Sequence, residues 1–396
     1  MGAKDVLALV TNQWIVALQK RLKIAIYLGD ISGAFDKVAS DLLHKKFEKN
    51  GVRDRALAFL ESYFKPRKAV TIVGGVSSHP FPLSDQVFQG TVLGPPAWNT
   101  YFADITKVVT ESTFEDAKYA DDLTAWKTFP EYFDTTDIIP ELEECQSKCH
   151  KWGEEYRVEF EPTKEHYAIL HRRFPYGDTF KLLGVLYDTR LLMHEAVLSI
   201  VKNVGWKLVT LFRVRRQYSI PSFITLYKTQ IWSSLEWATP AIAHATFTLL
   251  DNIDRVQRKF LRFIGMPWDV AFVEYKLAPL ALRRRIALMG LVHRCATGQA
   301  PRKLCAMFPL DGRSNVNRTR RANRYHNLRL VDRIDGTQCT ITQRSIYGLI
   351  KFYNILPQNV VKNKNPRHLQ GYLQHEAMKR CKSGMSIDEV SSLQWL

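Results

Sequence analysis

The sequence predicts an α+β fold in which a sheet with helices on one face is followed by an all-helical region. Three observations carry this. Strand-like apolar runs and helical periodicities interleave over residues 1–190, and helical spacing alone persists after about 195. The charge divides near the same point. Residues 1–200 carry 24 Lys+Arg against 28 Asp+Glu, whereas residues 201–396 carry 32 against 11, within a net charge of +17. An acidic half joined to a strongly basic half suggests a catalytic region followed by a grip for a polyanion. A basic surface without a partner is the plainer alternative.

Residues 5–20 read as a helix, with Val6, Leu9, Val10, Trp14, Ala17 and Leu18 at helical spacing and Leu7, Ile15 and Val16 off the stripe. Ile24, Ile26 and Leu28 alternate with Ala25 and Tyr27, which suits a largely buried strand ending at Gly29-Asp30. Ser40 is placed to cap a helix through Leu42, Leu43 and Phe47 that stops near Gly51. A helical stretch from Ala56 to Phe64 leads to Val70–Val73, Gly74-Gly75 and Val76, a hairpin by its turn chemistry. From Pro96, the residues Trp98, Tyr101, Phe102, Ile105, Val108 and Val109 predict a helical run. A short apolar segment, the Asp121-Asp122 tip and Leu123 to Trp126 make another hairpin. A helix near 140–156 and strands near Tyr167–Leu170 and Leu182–Tyr187 complete the mixed region.

Beyond it, Val197, Val201, Val204, Leu208 and Leu211 step by four, three, four and three. Ile253, Val256, Phe260 and Phe263 form a second such helix after Asp251, a candidate cap. Arg255, Arg258, Lys259 and Arg262 share another face of it, cations that favour phosphate over a plain solvated face. From about 310 the chain is basic and weakly patterned, which predicts helices with loose connections.

Several classes are set aside. The composition, 46% hydrophobic and 24% charged, is that of an ordinary globular protein. No uninterrupted apolar run is long enough to span a membrane, and Ala238–Leu250 is broken by His244. The first twenty residues lack a secretory leader's order, since Asp5 and Gln13 break the apolar stretch. An intracellular protein without a membrane partner is expected. The cysteines at 145, 149, 295, 305, 339 and 381 read as reduced thiols, because Cys145, Cys149 and His150 lack a second ligand pair at zinc spacing.

Three segments carry the chemistry: Asp30-Ile-Ser-Gly-Ala-Phe35-Asp36 at a strand end, Gln89-Gly-Thr-Val-Leu-Gly-Pro95 before a helix, and Tyr119-Ala-Asp121-Asp122 at a hairpin tip. Carboxylates ending apolar strands are partly desolvated, and neighbouring ones repel unless a cation sits between them. Hard divalent ions suit oxygen ligands, and magnesium also binds substrate phosphates. Two such ions activate an attacking hydroxyl and stabilise a leaving pyrophosphate, the requirement of nucleotidyl transfer. Taken alone, Asp121-Asp122 reads as a polar turn.

The ordered set resembles the reverse transcriptases of non-LTR retrotransposons. Asp30–Asp36, Gln89–Pro95 and Tyr119–Asp122 are similar to that family's motifs A, B and C, in its order. Trp152 with Lys164 resembles motif D, and Leu182-Leu183-Gly184 the primer grip. Tyr227-Lys, Leu235-Glu-Trp-Ala and Gln257-Arg-Lys resemble the family's thumb, and Arg344-Ser with Tyr353–Pro357 a motif near its C-terminus. The resemblance implies a right-hand polymerase: an antiparallel palm over 23–190 after a remnant of fingers or palm helix at 1–22. A basic helical thumb over 191–308 and a basic C-terminal region over 309–396 would follow. It further implies two Mg²⁺ ions, replaceable by Mn²⁺, on Asp30, Asp121 and Asp122, which are the catalytic residues. Phe35, Gln89, Gly90 and Lys164 would contact the nucleotide, Leu183 and Gly184 the primer, and Arg255, Arg258, Lys259 and Arg262 the nucleic-acid backbone. The partners would be an RNA template, a DNA primer and deoxynucleoside triphosphates, and the compartment the nucleus. Phe35 is otherwise a core aromatic, Lys164 a solvated lysine and Gly184 a strand bulge.

The sequence also departs from the family. Motif B usually reads Gly-Val-Pro-Gln-Gly, whereas here it is Gln86-Val-Phe88-Gln89-Gly90, and Gly29 stands where a large apolar residue normally precedes the first aspartate. Asp30 lies too near Met1 for the fingers to precede it, so a truncated chain of feeble activity is expected. A decayed remnant that binds nucleic acid without catalysis is the alternative function. The thumb and C-terminal resemblance argues against a maturase or a telomerase-like protein.

Overall fold

The computed structural model describes residues 2–83, 86–312, 326–334 and 340–396. The chain forms two compact units, Arg21–Gly177 and Met1–Lys20 with Asp178–Leu396. The strands are β1 (Lys23–Gly29), β2 (Arg67–Ala69), β3 (Ile72–Val73), β4 (Val76–Ser77), β5 (Phe81–Leu83), β6 (Glu115–Tyr119), β7 (Asp122–Phe129), β8 (His166–Leu170), β9 (Phe180–Leu182) and β10 (Val185–Tyr187). The helices used below are α1 (Ala3–Gln19), α2 (Ser40–Lys49), α3 (Asp54–Tyr63), α4 (Gly94–Tyr101), α5 (Ile105–Glu111), α6 (Thr135–Glu155) and α7 (His194–Arg213).

Within Arg21–Gly177, an antiparallel sheet runs in the order β6-β7-β1-β8. β1 is buried along its whole length, which is why its sequence is apolar on both alternating faces. Ala25 and Tyr27 share one core with Leu123 and Ala125 of β7, Trp98 and Tyr101 of α4, and Leu142 and Trp152 of α6. The helices of this unit therefore cover that face of the sheet.

Three features of this unit differ from the sequence expectation. The run from Pro96 is two helices, α4 and α5, interrupted after Tyr101. Buried Lys46 donates to the freed carbonyl of Tyr101 and pairs with Asp104 at 2.8 Å, while Lys118 donates to the carbonyl of Ala103 at 2.9 Å. Those remote lysines satisfy the carbonyls a break would orphan. Ser40 is the first residue of α2 and Ala39 its cap, with no side-chain capping bond. α6 starts earlier than expected, at Thr135, and accommodates Pro140.

In the second unit, α1 is buried nearly all round, with Val6, Leu7, Ala8, Leu9 and Val10 at most 1% exposed. That explains its weak stripe, since a helix covered on every side has no polar face. Asp5 pairs with Arg294 at 2.9 Å, and Thr11 and Tyr187 share a hydroxyl hydrogen bond of 2.8 Å. Leu182–Tyr187 is not one strand, because Leu183 and Gly184 form a tight turn between β9 and β10 with φ of +47° and +83°. Both central residues are left-handed, as the primed hairpin turns require. α7 packs on the helix Phe247–Phe263, where the rings of Phe212 and Phe263 stack 3.8 Å apart. The cap of that helix is Thr246, whose hydroxyl accepts from the Leu249 amide, and Asp251 lies inside the helix. Residues 313–325 and 335–339 of the weakly patterned stretch, Cys339 included, lie outside the described residues. Among the described residues, no helix is long and apolar enough to cross a membrane.

Candidate active site

The register of β1 against β7 builds the centre. Gly29 lies opposite Leu123, so the next rung sets Asp30 beside Asp122. Asp121 occupies the two-residue turn between Tyr119 and Asp122. Ala120, the first residue of that turn, has φ +55°, a left-handed conformation that costs a non-glycine residue about 1 kcal/mol. The indole nitrogen of Trp98 donates to the Ala120 carbonyl at 2.8 Å and pins the turn to α4. As a result, the three aspartates offer carboxylate oxygens within 4.8 Å of one another.

A lysine completes the group. The chain after α6 runs alongside Asp30: Ser32 donates to the Glu159 carbonyl and Glu161 to the Asp30 carbonyl, each at 2.9 Å, with Ile31 bridged to Phe160. The following turn brings Lys164 Nζ to 2.6 Å from Asp30 Oδ2. Its neighbour Glu165 is anchored inward, accepting from the Tyr27 hydroxyl and lying 2.8 Å from His150 Nε2. Gly29 has a packing reason here, because a Cβ would lie 2.9 Å from the Tyr27 hydroxyl and 3.1 Å from the Phe160 ring. The strand end is crowded by an aromatic from elsewhere.

Burial, and then the charges of Asp121 and Asp30, push the Asp122 carboxyl up to about 6. Burial, with Asp30 adding to it, also raises Asp121. Three acids facing one lysine are under-neutralised, and an all-oxygen donor set suits a hard divalent cation. The residues therefore fit a site for a hard divalent cation.

Two further elements flank the acids. Phe35 is half-buried and stacks on Trp98, ring centroids 6.0 Å apart, and its carbonyl accepts from the Val87 amide at 2.7 Å. That bond ties motif A to the loop of motif B. Gln89 and Gly90 form the exposed tip of the loop, where Gly90 has φ +80° with open space around its Cα. The glycine is needed there for its backbone conformation.

Residues 8–187 match the family model described as reverse transcriptase (RNA-dependent DNA polymerase). This stretch is a reverse transcriptase domain. The RNA-directed DNA polymerases from the mobile element jockey of Drosophila funebris and Drosophila melanogaster are 27% and 25% identical to the chain, each over 67% of it. The chain spans 31% of the length of these curated relatives. A solved telomerase from Candida albicans, in complex with a fragment of telomeric RNA, aligns with 65% of this chain and 45% of its own at 12% identity and a TM-score of 0.32.

The reverse transcriptase domain thus gathers Asp30, Asp121, Asp122 and Lys164 at one place, with Phe35, Gln89 and Gly90 on elements bonded to it. Leu183, Gly184 and the four cations belong to the unit that contains Asp178–Leu396. There the Trp237 indole donates to the Leu183 carbonyl at 3.4 Å. The cations are not free of acid: Arg255 pairs with Asp251 at 3.0 Å and Arg258 with the same aspartate at 2.5 Å. Sequence reasoning missed the supporting roles of Trp98, Glu165 and Phe160, whose partners are far away in the chain. For Glu165 the one local signal was its place next to Lys164.

Proposed function

We propose that this chain is the palm and thumb of an RNA-directed DNA polymerase of the non-LTR retrotransposon type. The approach of Asp30, Asp121 and Asp122 to within 4.8 Å carries the reading. When bound by these carboxylates, two Mg²⁺ ions would activate a primer 3′-hydroxyl and stabilise the departing pyrophosphate. The chain's own residues do the positioning. Lys164, on leaving Asp30, reaches the triphosphate as a charged donor. Phe35, backed by Trp98, lies under the incoming sugar and excludes a 2′-hydroxyl by contact. Gln89 and Gly90 border the templating pair, and the turn at Leu183-Gly184 holds the primer end. Arg255, Arg258, Lys259 and Arg262 grip duplex phosphates, and the polymerase works in the nucleus on an RNA template, a DNA primer and deoxynucleoside triphosphates. In functional terms the chain divides into a fingers or palm segment at 1–22, palm at 23–190, thumb at 191–308 and a basic C-terminal region at 309–396.

A second reading, a nucleic-acid-binding remnant without catalysis, is favoured by the Lys164–Asp30 pair and by the altered motif B. Primer extension on an RNA template with Mg²⁺ separates the two. The polymerase reading expects extension from the chain, or from a longer version carrying the upstream region of the curated relatives, and none from Asp121→Asn. Failure of both wild-type forms, with salt-sensitive duplex binding retained, would leave the binding reading.

A further inference from the structure

We infer that Arg67 is a positioning residue for the loop that presents Gln89 and Gly90, an inference that deepens the polymerase reading and rests on it for its function. The resembled family stiffens this loop with a proline ahead of the Gln-Gly pair, and a proline does so by fixing its own φ. This chain has Phe88 at that position, which gives no such restraint. A side-chain clamp takes the proline's place. The Arg67 guanidinium lies 4.7 Å from the centroid of the Phe88 ring and 5.5 Å from that of Tyr63. One of its nitrogens donates to the Tyr63 carbonyl at 2.9 Å, which sets the orientation of the guanidinium plane. A guanidinium stacked this way is weakly hydrated and loses little rotamer freedom on binding an aromatic face.

The rest of the loop is fastened at two other points. The Val87 amide donates to Phe35, and the Thr91 hydroxyl donates to the Phe88 carbonyl, both at 2.7 Å. Phe88 is therefore held by its backbone from one side and by its ring from the other. The exposed tip, Gln89-Gly90, is left with its geometry set by those fastenings. Among the described residues, the contacts of Arg67 are two rings and a carbonyl. The side chain of Arg67 thus does for this loop what backbone rigidity does in its relatives.

Amide hydrogen exchange tests the clamp without requiring catalysis. In Arg67→Ala, the Val87 and Thr91 amides are expected to exchange about two- to five-fold faster, the scale of one exposed cation–π contact. Phe88→Leu should give the same acceleration, and the double variant no more than either. Phe88→Pro should restore slow exchange and make Arg67→Ala silent. Unchanged exchange in Arg67→Ala, or additive effects in the double variant, would overturn the inference. In primer extension, Arg67→Ala should raise KM for the deoxynucleotide by a similar factor at unchanged kcat, with Arg67→Lys between it and wild type. If exchange responds as expected while even the unmutated chain extends nothing, the clamp stands and the polymerase reading fails.

Discussion

Lys164 Nζ lies 2.6 Å from Asp30 Oδ2, so the acid ending the central strand is neutralised by a lysine from the turn that follows Phe160. The lysine side chain is 61% exposed and the carboxylate 14%, which leaves the ammonium free to swing away while Asp30 stays in place. An entering divalent cation competes with that ammonium for the same oxygen.

Removing the competitor should show in binding and in catalysis with opposite signs. Lys164→Met is expected to tighten Mn²⁺ binding to the nucleotide-free protein by up to about five-fold, the scale of a solvent-exposed ion pair. Primer extension should slow in the same variant. Metal titration checks the first effect, and weaker Mn²⁺ binding in Lys164→Met would show that the lysine assists the site.

Asp122 makes stability depend on pH in an unusual direction. Its folded value of about 6 lies above the ordinary carboxyl value of about 4. The unfolded chain releases its proton first, so the metal-free protein loses stability as pH rises through this interval. Below it both states are protonated and the penalty vanishes. Asp122→Asn should therefore melt at a higher temperature than wild type at pH 7.5, with the gap closing by pH 4. Thermal denaturation in a chelating buffer measures this, and a gap that widens on acidification would refute it.

The cationic helix face divides into spent and available charges. Arg255 and Arg258 already face Asp251, whereas Lys259 and Arg262 are exposed without an acid partner among the described residues. Lys259→Ala and Arg262→Ala should each reduce the slope of log affinity against log salt by about 0.9 for duplex binding. Arg255→Ala should reduce it by less. Equal slopes for all three variants would mean that the Asp251 pairs open on binding.

Gly29 and Phe160 form a complementary pair, testable by exchanging bulk. Gly29→Val puts carbon into a space already 3.1 Å from the Phe160 ring, an overpacking expected to cost about 1–3 kcal/mol. In a Phe160→Ala background the same substitution should cost less, the remainder coming from the Tyr27 hydroxyl, which a Cβ would meet at 2.9 Å. Denaturant unfolding of the four proteins gives the coupling directly, and additive costs would show that the clash is relieved by other means.

What could be read from the sequence was what depends on neighbours along the chain. The buried strand ending at Asp30 and the Asp121-Asp122 hairpin tip announce themselves through local pattern, and antiparallel pairing then does the rest. The misplaced features share a different origin. The helix break after Tyr101 depends on Lys46 and Lys118 arriving from elsewhere to bond its carbonyls. Asp251 looked like a cap because its real role, pairing with cations later in the same helix, shows in the structure alone. Gly29 looked like a defect in the strand because Phe160, which fills the space, follows a long helix later. Long-range complementarity leaves no periodic trace.

The burial of α1 has a consequence for synthesis. This helix leaves the ribosome long before its ion-pair partner Arg294, which stands 289 residues behind it. At ordinary elongation rates that is a wait of roughly 15–60 s. Throughout that interval α1 lacks the surface around Arg294, and Trp14 must wait for Phe180 and Tyr187, while the unit closed at Gly177 can already complete its own sheet. The nascent α1 must therefore be shielded until its partners emerge, and slowing translation should raise aggregation more than it would for a protein whose buried helices pack on nearby segments.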